Sequence, residues 1–548
     1  MTVLRFLKAL ALAPLIAMVG AAFGWCLAGA VIALDVIAHL VLHQQQGAVS
    51  KGITLFAGSL PIILGIGGLF APFVRQTSHQ FVFGSASWAT AGDLALLRRT
   101  HNQGLLIGRD PATLKLLRYD GPSHLMTMAP TRTGKGVGTI IPNLLTWQRS
   151  VVCIDPKGEN ARITYRSRQR FGPVHVLDPF GVTGHPSSMF NPFAHLDATV
   201  LDIAEHAGTL AEALVYDEPG TSGDAHWNEE ARALIAGMIM MVVASEPPGK
   251  RHPAMLRDYL TRPPKAFAEL LARMQESTSC DGLIARAANR HLGKSDREAS
   301  GVLSSAQRHT HFLDSPRMRH VMQRSDFDFS GLKRATGSVF LVLPPDRLGA
   351  YARWLRLMIN QSLMEMARDH DVGTTGQMTA KGNRLASANR NDLKQTDQTV
   401  LFLLDEFASL GRLAAVERAM GLMAGYGVQL WPILQDIHQL RACYGKSANT
   451  FLANAAVLQV FSVNDIDTAE LVARSIGKTD AHYMTRSYAE GKQTSAEHIS
   501  ARNLINADEI MRLPDNRMIL LRQGHYPAKL RKIRYYEDKE FKGLFERI

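Results

Sequence analysis

Apolar residues follow two different patterns along this chain of 548 residues. The first is a short, almost continuous apolar run, which is typical of a strand buried on both faces of a sheet. Six such runs occur, at residues 123–128, 150–154, 337–344, 399–406, 428–435 and 456–463. Segments with helical periodicity separate most of them. This alternation predicts an α/β fold built on a covered parallel sheet.

The second pattern, apolar residues at helical spacing, dominates residues 195–330. Stretches such as "HWNEEARALIAGMIMMVVASE" and "GLIARAANRHL" are amphipathic, and prolines or glycines separate them. We therefore predict an all-α domain at 195–330, inserted between two parts of the α/β domain at 76–194 and 331–548. Within the second part, residues 370–397 are polar and aperiodic, which predicts an exposed and mobile loop.

Two long uncharged runs, residues 9–34 and 52–74, dominate the start of the chain. Each exceeds the roughly 20 residues that an α-helix needs to span a bilayer. Basic residues precede the first run and follow the second, so the positive-inside rule places both ends in the cytoplasm. A cleaved signal peptide has a shorter apolar stretch, and no second span follows it. Residues 1–75 are thus predicted to form a transmembrane hairpin.

The charge balance of the chain is basic, with a formal net charge of +12 and an isoelectric point near 9.5. Such a balance favours partners that carry phosphate, either nucleic acid or an anionic membrane surface, although ordinary surface lysines and arginines also produce it. The four cysteines, Cys26, Cys153, Cys280 and Cys443, are scattered. Their spacing supports neither a disulfide framework nor a zinc site, which suits a reducing cytoplasm.

The segment "APTRTGKGVG", residues 129–138, is close to the phosphate-loop pattern G-x-x-x-x-G-K-[ST]. A predicted strand precedes it and a helical segment follows, in which Pro142 is expected to kink or restart the helix. In such a loop, backbone N–H groups point at the phosphates and the lysine neutralises their charge. A chance glycine turn is the alternative. The candidate nucleotide-binding residues are Thr131, Arg132, Thr133, Gly134, Lys135, Gly136 and Val137.

A second element is the strand "TVLFLLDE", which ends in Asp405 and Glu406. The first carboxylate can hold magnesium-bound water, and the second can polarise the water that attacks the γ-phosphate. Gln435 ends the next strand, at the position of a side chain that senses the γ-phosphate. Ligands of open α/β sheets bind at the carboxyl ends of the strands, where these residues should lie. The predicted cofactors are therefore ATP and Mg²⁺; a merely solvated strand end is the alternative.

Further motifs follow one another along the chain: "GSASWATAGDL", "TRTGKGVG", "CIDPKGE", "LDPFG", "NPF", "LLDEFASLGRL", "LQDIHQL" and "RKIRYYED". Together with the two apolar N-terminal runs, they make the whole chain resemble the coupling ATPases of type IV secretion and conjugation systems. These form the TraG/TraD-like family of RecA-like P-loop motors. The resemblance implies a homo-hexamer anchored in the bacterial inner membrane, with a ring of nucleotide-binding domains and the all-α domain at its cytoplasmic entrance.

The resemblance also implies partners and residue roles. The partners would be DNA or a relaxase–DNA complex, effector proteins, and components of the type IV secretion channel. Lys135 would bind phosphate, Asp405 would organise Mg²⁺ through water, and Glu406 would be the catalytic base. Gln435 would sense the γ-phosphate. Asp155 and Lys157, in "DPKGE", would start a loop that supports the phosphate loop, unless this segment is only a surface turn with a local ion pair.

The sequence departs from the family pattern in two places. Gly136 removes the hydroxyl ligand to magnesium, and Thr139, one helical turn further on, is not expected to reach the metal. No arginine lies between Ala419 and Leu440, where some relatives carry one that acts on the neighbouring subunit's site. The substitute candidates are Arg412, Arg418 and Arg474. Ala129, Gly136 and the missing arginine leave a membrane scaffold without ATPase activity as an alternative. A coupling ATPase for protein effectors alone is another, because the systems that the chain resembles export either cargo.

Two basic segments are weaker candidates for contact with nucleic acid. Arg162, Arg166, Arg168 and Arg170 follow "DPKGE" and could line a channel for phosphates. The segment "AKLRKIRYYED" alternates basic and apolar residues and ends in two tyrosines that could stack on bases. The same alternation is typical of a half-buried strand with one solvated face, which we favour for this segment.

Overall fold

The computed structural model describes residues 82–98, 104–215, 225–374, 399–489 and 492–547. From Phe83 onwards the described residues belong to one compact unit. The predicted transmembrane hairpin lies outside these ranges. None of the helices within the ranges combines the length and the apolar composition that a membrane span needs.

The strands and helices alternate as the α/β prediction requires. The strands are β1 (Leu105–Arg109), β2 (Leu116–Tyr119), β3 (His124–Met128), β4 (Val151–Asp155), β5 (Val174–Leu177), β6 (Ser338–Val342), β7 (Val400–Leu404), β8 (Val428–Leu434), β9 (Ala455–Val460), β10 (Lys478–Ala489), β11 (Lys492–Asn503), β12 (Arg517–Arg522) and β13 (Ala528–Arg531). The helices are α1 (Ala95–Arg98), α2 (Ile141–Thr146), α3 (Glu159–Gln169), α4 (Ile203–Leu214), α5 (Ala225–Ser245), α6 (Pro253–Leu260), α7 (Pro264–Gln275), α8 (Leu283–Leu292), α9 (Asp296–Thr310), α10 (Pro316–Val321), α11 (Gly331–Arg334), α12 (Leu348–Thr374), α13 (Ala414–Leu422), α14 (Ile437–Tyr444), α15 (Ala448–Asn454), α16 (Ile466–Ile476) and α17 (Ala507–Met511).

Eleven strands form one sheet in the order β2-β1-β13-β12-β9-β3-β8-β7-β4-β6-β5. From β9 to β5 all neighbours pair in parallel. The six apolar runs predicted as strands form β3, β4, β6, β7, β8 and β9. Alternate residues of β4 enter two different cores, Val152 and Ile154 on one side and Val151 and Cys153 on the other. Both faces are covered, so the prediction of a covered parallel sheet is confirmed for this part.

The other edge of the sheet is antiparallel, which the sequence pattern does not predict. Strand β12 pairs with β9, β13 with β12, β1 with β13 and β2 with β1, each in antiparallel orientation. These strands are short, and β1 meets its partner β13 only across more than 400 residues of chain. A short apolar segment indicates a strand but not its partner, so this extension depends on tertiary packing.

Every described element between β5 and β6 is helical. Helix α5 is the centre of this region, because α4, α8 and α9 all pack against it. It is buried on most of its faces, with Leu234, Ile235 and Met238 among the buried residues. The helices of this region agree with the all-α domain predicted at residues 195–330. The first and last residues of that domain stay predictions.

Two details of the chain differ from the sequence-based expectations. Helix α12 continues to Thr374, so residues 370–374 are helical rather than part of the predicted loop, whose remainder lies outside the described residues. Strands β10 and β11 form a separate two-stranded ribbon of twelve residues each, which the apolar pattern does not reveal. The ribbon has no continuous apolar face, so the signal used for the other strands is absent.

Arg168 is a correction to the predicted basic cluster. Its side chain is fully buried, and its guanidinium donates to Ser338 Oγ at 2.7 Å and to the Arg149 carbonyl at 2.8 Å. Burial lowers the pKa of Arg168 to about 9. This arginine therefore joins α3 to the neighbouring loop and strand and is not available to a nucleic-acid phosphate, whereas Arg166 and Arg170 are exposed.

Candidate nucleotide-binding site

The predicted phosphate loop begins where β3 ends. Met128 pairs with Leu434 of β8, and the Ala129 N–H donates to the Leu434 carbonyl at 2.8 Å. Ala129 is fully buried and is not among the residues with positive φ. Alanine in place of the usual glycine therefore costs no backbone strain here.

The loop itself is a compact turn. Thr133 donates to the Pro130 carbonyl through both its N–H, at 3.2 Å, and its hydroxyl, at 2.7 Å. Arg132 and Gly134 have positive φ, at 67° and 92°. A Cβ built on Gly134 or on Gly136 would meet no other atom within 4 Å. The loop is thus open on the side of these glycines, where a ligand can approach the backbone.

The helix after the loop starts with one turn of π-helix, Gly136–Ile140, and continues as α2. Pro142 lies in the first turn of α2, where its missing N–H is tolerated. The helix changes from π-helical to α-helical here while Ile140 and Ile141 keep right-handed helical dihedrals, so Pro142 marks a change of helix type and not a new start. Thr131 is exposed and Val137 partly exposed, so the predicted binding residues at both ends of the turn reach the surface.

The paired acids and the lysine meet at the carboxyl edge of the sheet. One strand, β8, separates β7 from β3, and the side chains of Asp405, Glu406 and Lys135 meet across its end. Lys135 Nζ lies 3.4 Å from Asp405 Oδ1 and also donates to Glu406 Oε1. Gln435 Nε2 donates to Glu406 Oε2 at 3.2 Å. The structure therefore brings together the four residues to which the sequence assigns the chemistry.

Backbone geometry and burial distinguish the two acids. Glu406 adopts a left-handed conformation with φ of 50°, which is uncommon for a residue with a side chain. Its carbonyl accepts the Ser409 N–H at 2.8 Å and the Ser409 hydroxyl at 2.6 Å, and these bonds fix the turn. Asp405 is more enclosed: burial raises its pKa, and Glu406 raises it further, while Lys135 opposes both. A second cation would stabilise the ionised form of Asp405.

Asp155 forms the end of β4, beside Asp405, and is a correction to the surface-turn alternative. It is 1% exposed, and its Oδ2 accepts the Ala161 N–H at 2.8 Å, at the start of α3. Burial raises the pKa of Asp155 to about 7, and the neighbouring Asp405 contributes. Lys157 is exposed. Asp155 thus joins the acidic edge of the site, and no ion pair between Asp155 and Lys157 is found in this described segment.

Thr139 is fully buried, and its hydroxyl donates to Gln459 Oε1 at 3.1 Å. The same oxygen accepts the Thr127 hydroxyl at 2.8 Å. The Thr139 hydroxyl is therefore committed inside the fold and does not replace the hydroxyl that Gly136 lacks, in agreement with the sequence-based expectation.

Replacing Gly136 by serine is expected to leave the affinity for Mg–ATP unchanged or to tighten it. The added Cβ enters open space, and φ at this position is not positive. The new hydroxyl can take the place of a metal-bound water. Calorimetric titration of the full-length chain with Mg–ATP measures the effect, with Gly136→Ala as the control that adds the Cβ without the hydroxyl. Weaker binding by the serine variant than by the alanine variant would contradict the expectation.

The candidate arginines for action on a neighbouring subunit all lie on the surface. Arg412 donates to Glu417 at 3.2 Å, Arg418 lies 3.7 Å from Glu212, and Arg474 donates to the backbone of its own helix. The pairs with Glu417 and Glu212 are exposed, and exposed ion pairs of this kind are weak. Arg418 can therefore leave Glu212 at little cost.

One residue at the loop is not indicated by the sequence pattern. Lys532 Nζ donates to the Thr133 carbonyl at 2.9 Å, from the segment that follows β13. In β13 the burial alternates, as the half-buried-strand interpretation predicts. Beyond Arg531 the alternation fails, because Lys532 and Ile533 are both buried. A lysine in an alternating basic segment is normally assigned to the solvated face, so no sequence signal marks this contact.

The chain is similar in sequence to a known protein family and to several of its characterised members. Residues 82–546 match the family described as Type IV secretory system Conjugative DNA transfer. The chain is 28% identical over 507 residues to the conjugal transfer protein TraG of Escherichia coli, covering 84% of this chain and 76% of that protein. It is 28% identical over 521 residues to the protein VirD4 of Agrobacterium fabrum, covering 89% and 70%.

Solved structures with a similar fold include the plasmid coupling protein TrwB in complex with ADP and Mg²⁺. It matches with a TM-score of 0.58 at 18% identity, covering 82% of this chain and 94% of that chain. An unbound form of the same protein matches with a TM-score of 0.59 at 20% identity, covering 83% and 96%. At this level of identity the likeness shows a shared fold.

Proposed function

Because this chain belongs to the type IV secretory-system family for conjugative DNA transfer, the coupling proteins of the P-loop ATPase class, we propose that it hydrolyses ATP to deliver substrates to a type IV secretion channel. The observation that carries the proposal is the contact of Lys135 with both Asp405 and Glu406 at an open phosphate loop. In a chance glycine turn at the surface, we would not expect the lysine to contact two acids from a strand far away in the sequence.

The proposed chemistry starts from the pairing seen in the structure. Lys135 binds the β- and γ-phosphate oxygens and gives up part of its contact with Glu406. The freed carboxylate then accepts a proton from the attacking water. Gln435, which donates to the same carboxylate, orients it and senses whether the γ-phosphate is present. Lys135 thus couples nucleotide binding to the release of the base.

The donor set suits a magnesium ion. Asp405 offers carboxylate oxygens, which this hard cation prefers, and the open side of Gly134 and Gly136 leaves room for the water molecules that it retains. When bound, magnesium neutralises charge on the phosphates. Asp405 would hold the ion through water, and the cation would lower the raised pKa of Asp405 because it favours the ionised carboxylate.

For the residues that precede the described part of the chain, we keep the predicted transmembrane hairpin at 1–75, with both ends in the cytoplasm of a bacterium and the spans in the inner membrane. Two uncharged runs with basic flanks support this arrangement. Alkaline extraction of host membranes tests it: the full chain should stay in the pellet, and its release into the supernatant would contradict the proposal.

The proposed assembly is a ring of six copies, and the proposed cargo is DNA or a relaxase–DNA complex. The net charge of +12 favours a phosphate-bearing substrate, and the exposed Arg412, Arg418 and Arg474 are candidates to complete a neighbour's site. In such an arrangement the activity depends on contact between copies.

Particle masses of the full-length chain, measured in mild detergent with an ATP analogue and DNA at rising salt, test assembly and cargo together. We expect particles of six chains that carry DNA and lose it as salt rises, because phosphate contacts release counterions. Particles of one chain under all conditions would contradict the ring. DNA binding that is absent or insensitive to salt would contradict the DNA cargo and favour protein effectors.

A further inference from the structure

The segment after β13 contacts the phosphate loop at two points. Lys532 Nζ donates to the Thr133 carbonyl, in the middle of the turn. One residue further, the Ile533 carbonyl faces Gly138, where a Cβ would lie 3.0 Å from the Ile533 oxygen. The middle of the turn and the helix that follows it are therefore both in contact with this C-terminal segment, although almost 400 residues of sequence lie between them.

Lys532 is enclosed at this place. It is 7% exposed, and its ammonium lies 4.6 Å from the centre of the Phe461 ring, in cation–π contact. The pKa of Lys532 is lowered to about 8, mainly by burial; Asp515 opposes this shift, and the neighbouring Arg534 contributes to it. Burying a cation at this place costs free energy. The presence of Lys532 against the Thr133 carbonyl therefore indicates that the contact has a function.

The contact fixes one peptide plane of the loop. In a trans peptide the carbonyl and the following N–H point in opposite directions. With the Thr133 carbonyl directed at Lys532, the Gly134 N–H points away from the C-terminal segment. Within the described residues this N–H donates to no protein acceptor. It is thus a free donor of the kind that binds phosphate in such loops.

We propose that Lys532 is a positioning residue of the nucleotide site, which orients the Gly134 N–H towards a phosphate by binding the Thr133 carbonyl. The inference rests on the proposed nucleotide site and adds a residue to it. Lys532 acts through the loop backbone and not by contact with the reacting atoms. Its loss should therefore weaken nucleotide binding and leave the chemical step nearly unchanged at saturating ATP.

The test compares Lys532→Met with Lys532→Arg in the full-length chain. Methionine keeps the apolar stem but has no donor, so we expect the Kd for ATP and the KM to rise about tenfold, the size of one lost charge-assisted hydrogen bond. The kcat at saturating ATP should stay within about twofold, since general-base catalysis is untouched. Arginine keeps the charge and the donors and should restore most of the affinity.

Lys529→Met is the matched control. Lys529 lies in β13, is exposed, and places its ammonium over the Trp88 ring at 4.3 Å, so it has the same type of ring contact without the loop contact. A wild type that binds no nucleotide would overturn the proposed function itself. A wild type that binds nucleotide, with a folded Lys532→Met that binds equally well, would overturn only the positioning role. Equal weakening by Lys529→Met, or loss of kcat with an unchanged KM, would also overturn it.

Discussion

Replacing Lys135 by alanine is expected to abolish tight nucleotide binding. Lys135 is in contact with both Asp405 and Glu406, so its removal takes away the cation that meets the phosphates and leaves two adjacent carboxylates to repel them. Losing one partner of a buried charged pair costs about 2–5 kcal/mol, or roughly 30-fold to several thousandfold in Kd. Titration of the full-length chain with a fluorescent ATP analogue measures this loss.

The control for this variant is Lys250→Ala, which removes an exposed lysine from the helical insertion. It should bind the analogue like the wild type. Binding by Lys135→Ala within about threefold of the wild type would mean less than 1 kcal/mol from this lysine, and the phosphate-binding role would have to be abandoned.

Replacing Glu406 by glutamine is expected to spare nucleotide binding and to lower kcat by about 10²–10⁴-fold, the usual contribution of a general base. The amide keeps the shape of the side chain and its place beside Gln435, while the contact of Lys135 with Asp405 remains. What is lost is the capacity to accept a proton from water. Steady-state ATP hydrolysis and nucleotide titration, run on the same preparation, separate the two effects.

Glu269→Gln serves as the control, because it removes an exposed carboxylate from the helical insertion, away from the site. It should leave both quantities unchanged. If Glu406→Gln turned over ATP at the wild-type rate, the base would have to be another residue, and Asp155 at the end of β4 would be the first candidate.

The residues of the site could be predicted because each follows a strongly apolar strand. Lys135 comes after β3, Asp405 and Glu406 after β7, and Gln435 after β8, and parallel strands place such positions along one edge. The sequence does not contain the order of the strands. That β7 lies between β8 and β4, which brings Asp405 beside both Lys135 and Asp155, is a result of packing.

Other features could not be predicted, because the sequence has no pattern that indicates them or has a pattern that indicates a different structure. Lys532 belongs to an alternating basic segment, in which a lysine is expected on the solvated face, yet it is buried against the loop. Arg168 belongs to a cluster of arginines that suggests phosphate binding. Its guanidinium, however, donates its hydrogen bonds to backbone carbonyls inside the fold. The ribbon of β10 and β11 has polar residues on both faces and so lacks the periodicity that reveals a half-buried strand.

A working phosphate loop, despite Ala129 and Gly136, is what distinguishes a motor from a scaffold. The most direct measurement is ATP hydrolysis by the full-length wild type and by Lys135→Ala, with DNA and lipid membranes present and both preparations checked for folding and oligomeric state. We expect clear turnover by the wild type and none by the variant. Wild-type turnover no higher than that of Lys135→Ala would contradict the motor and leave a membrane scaffold without ATPase activity.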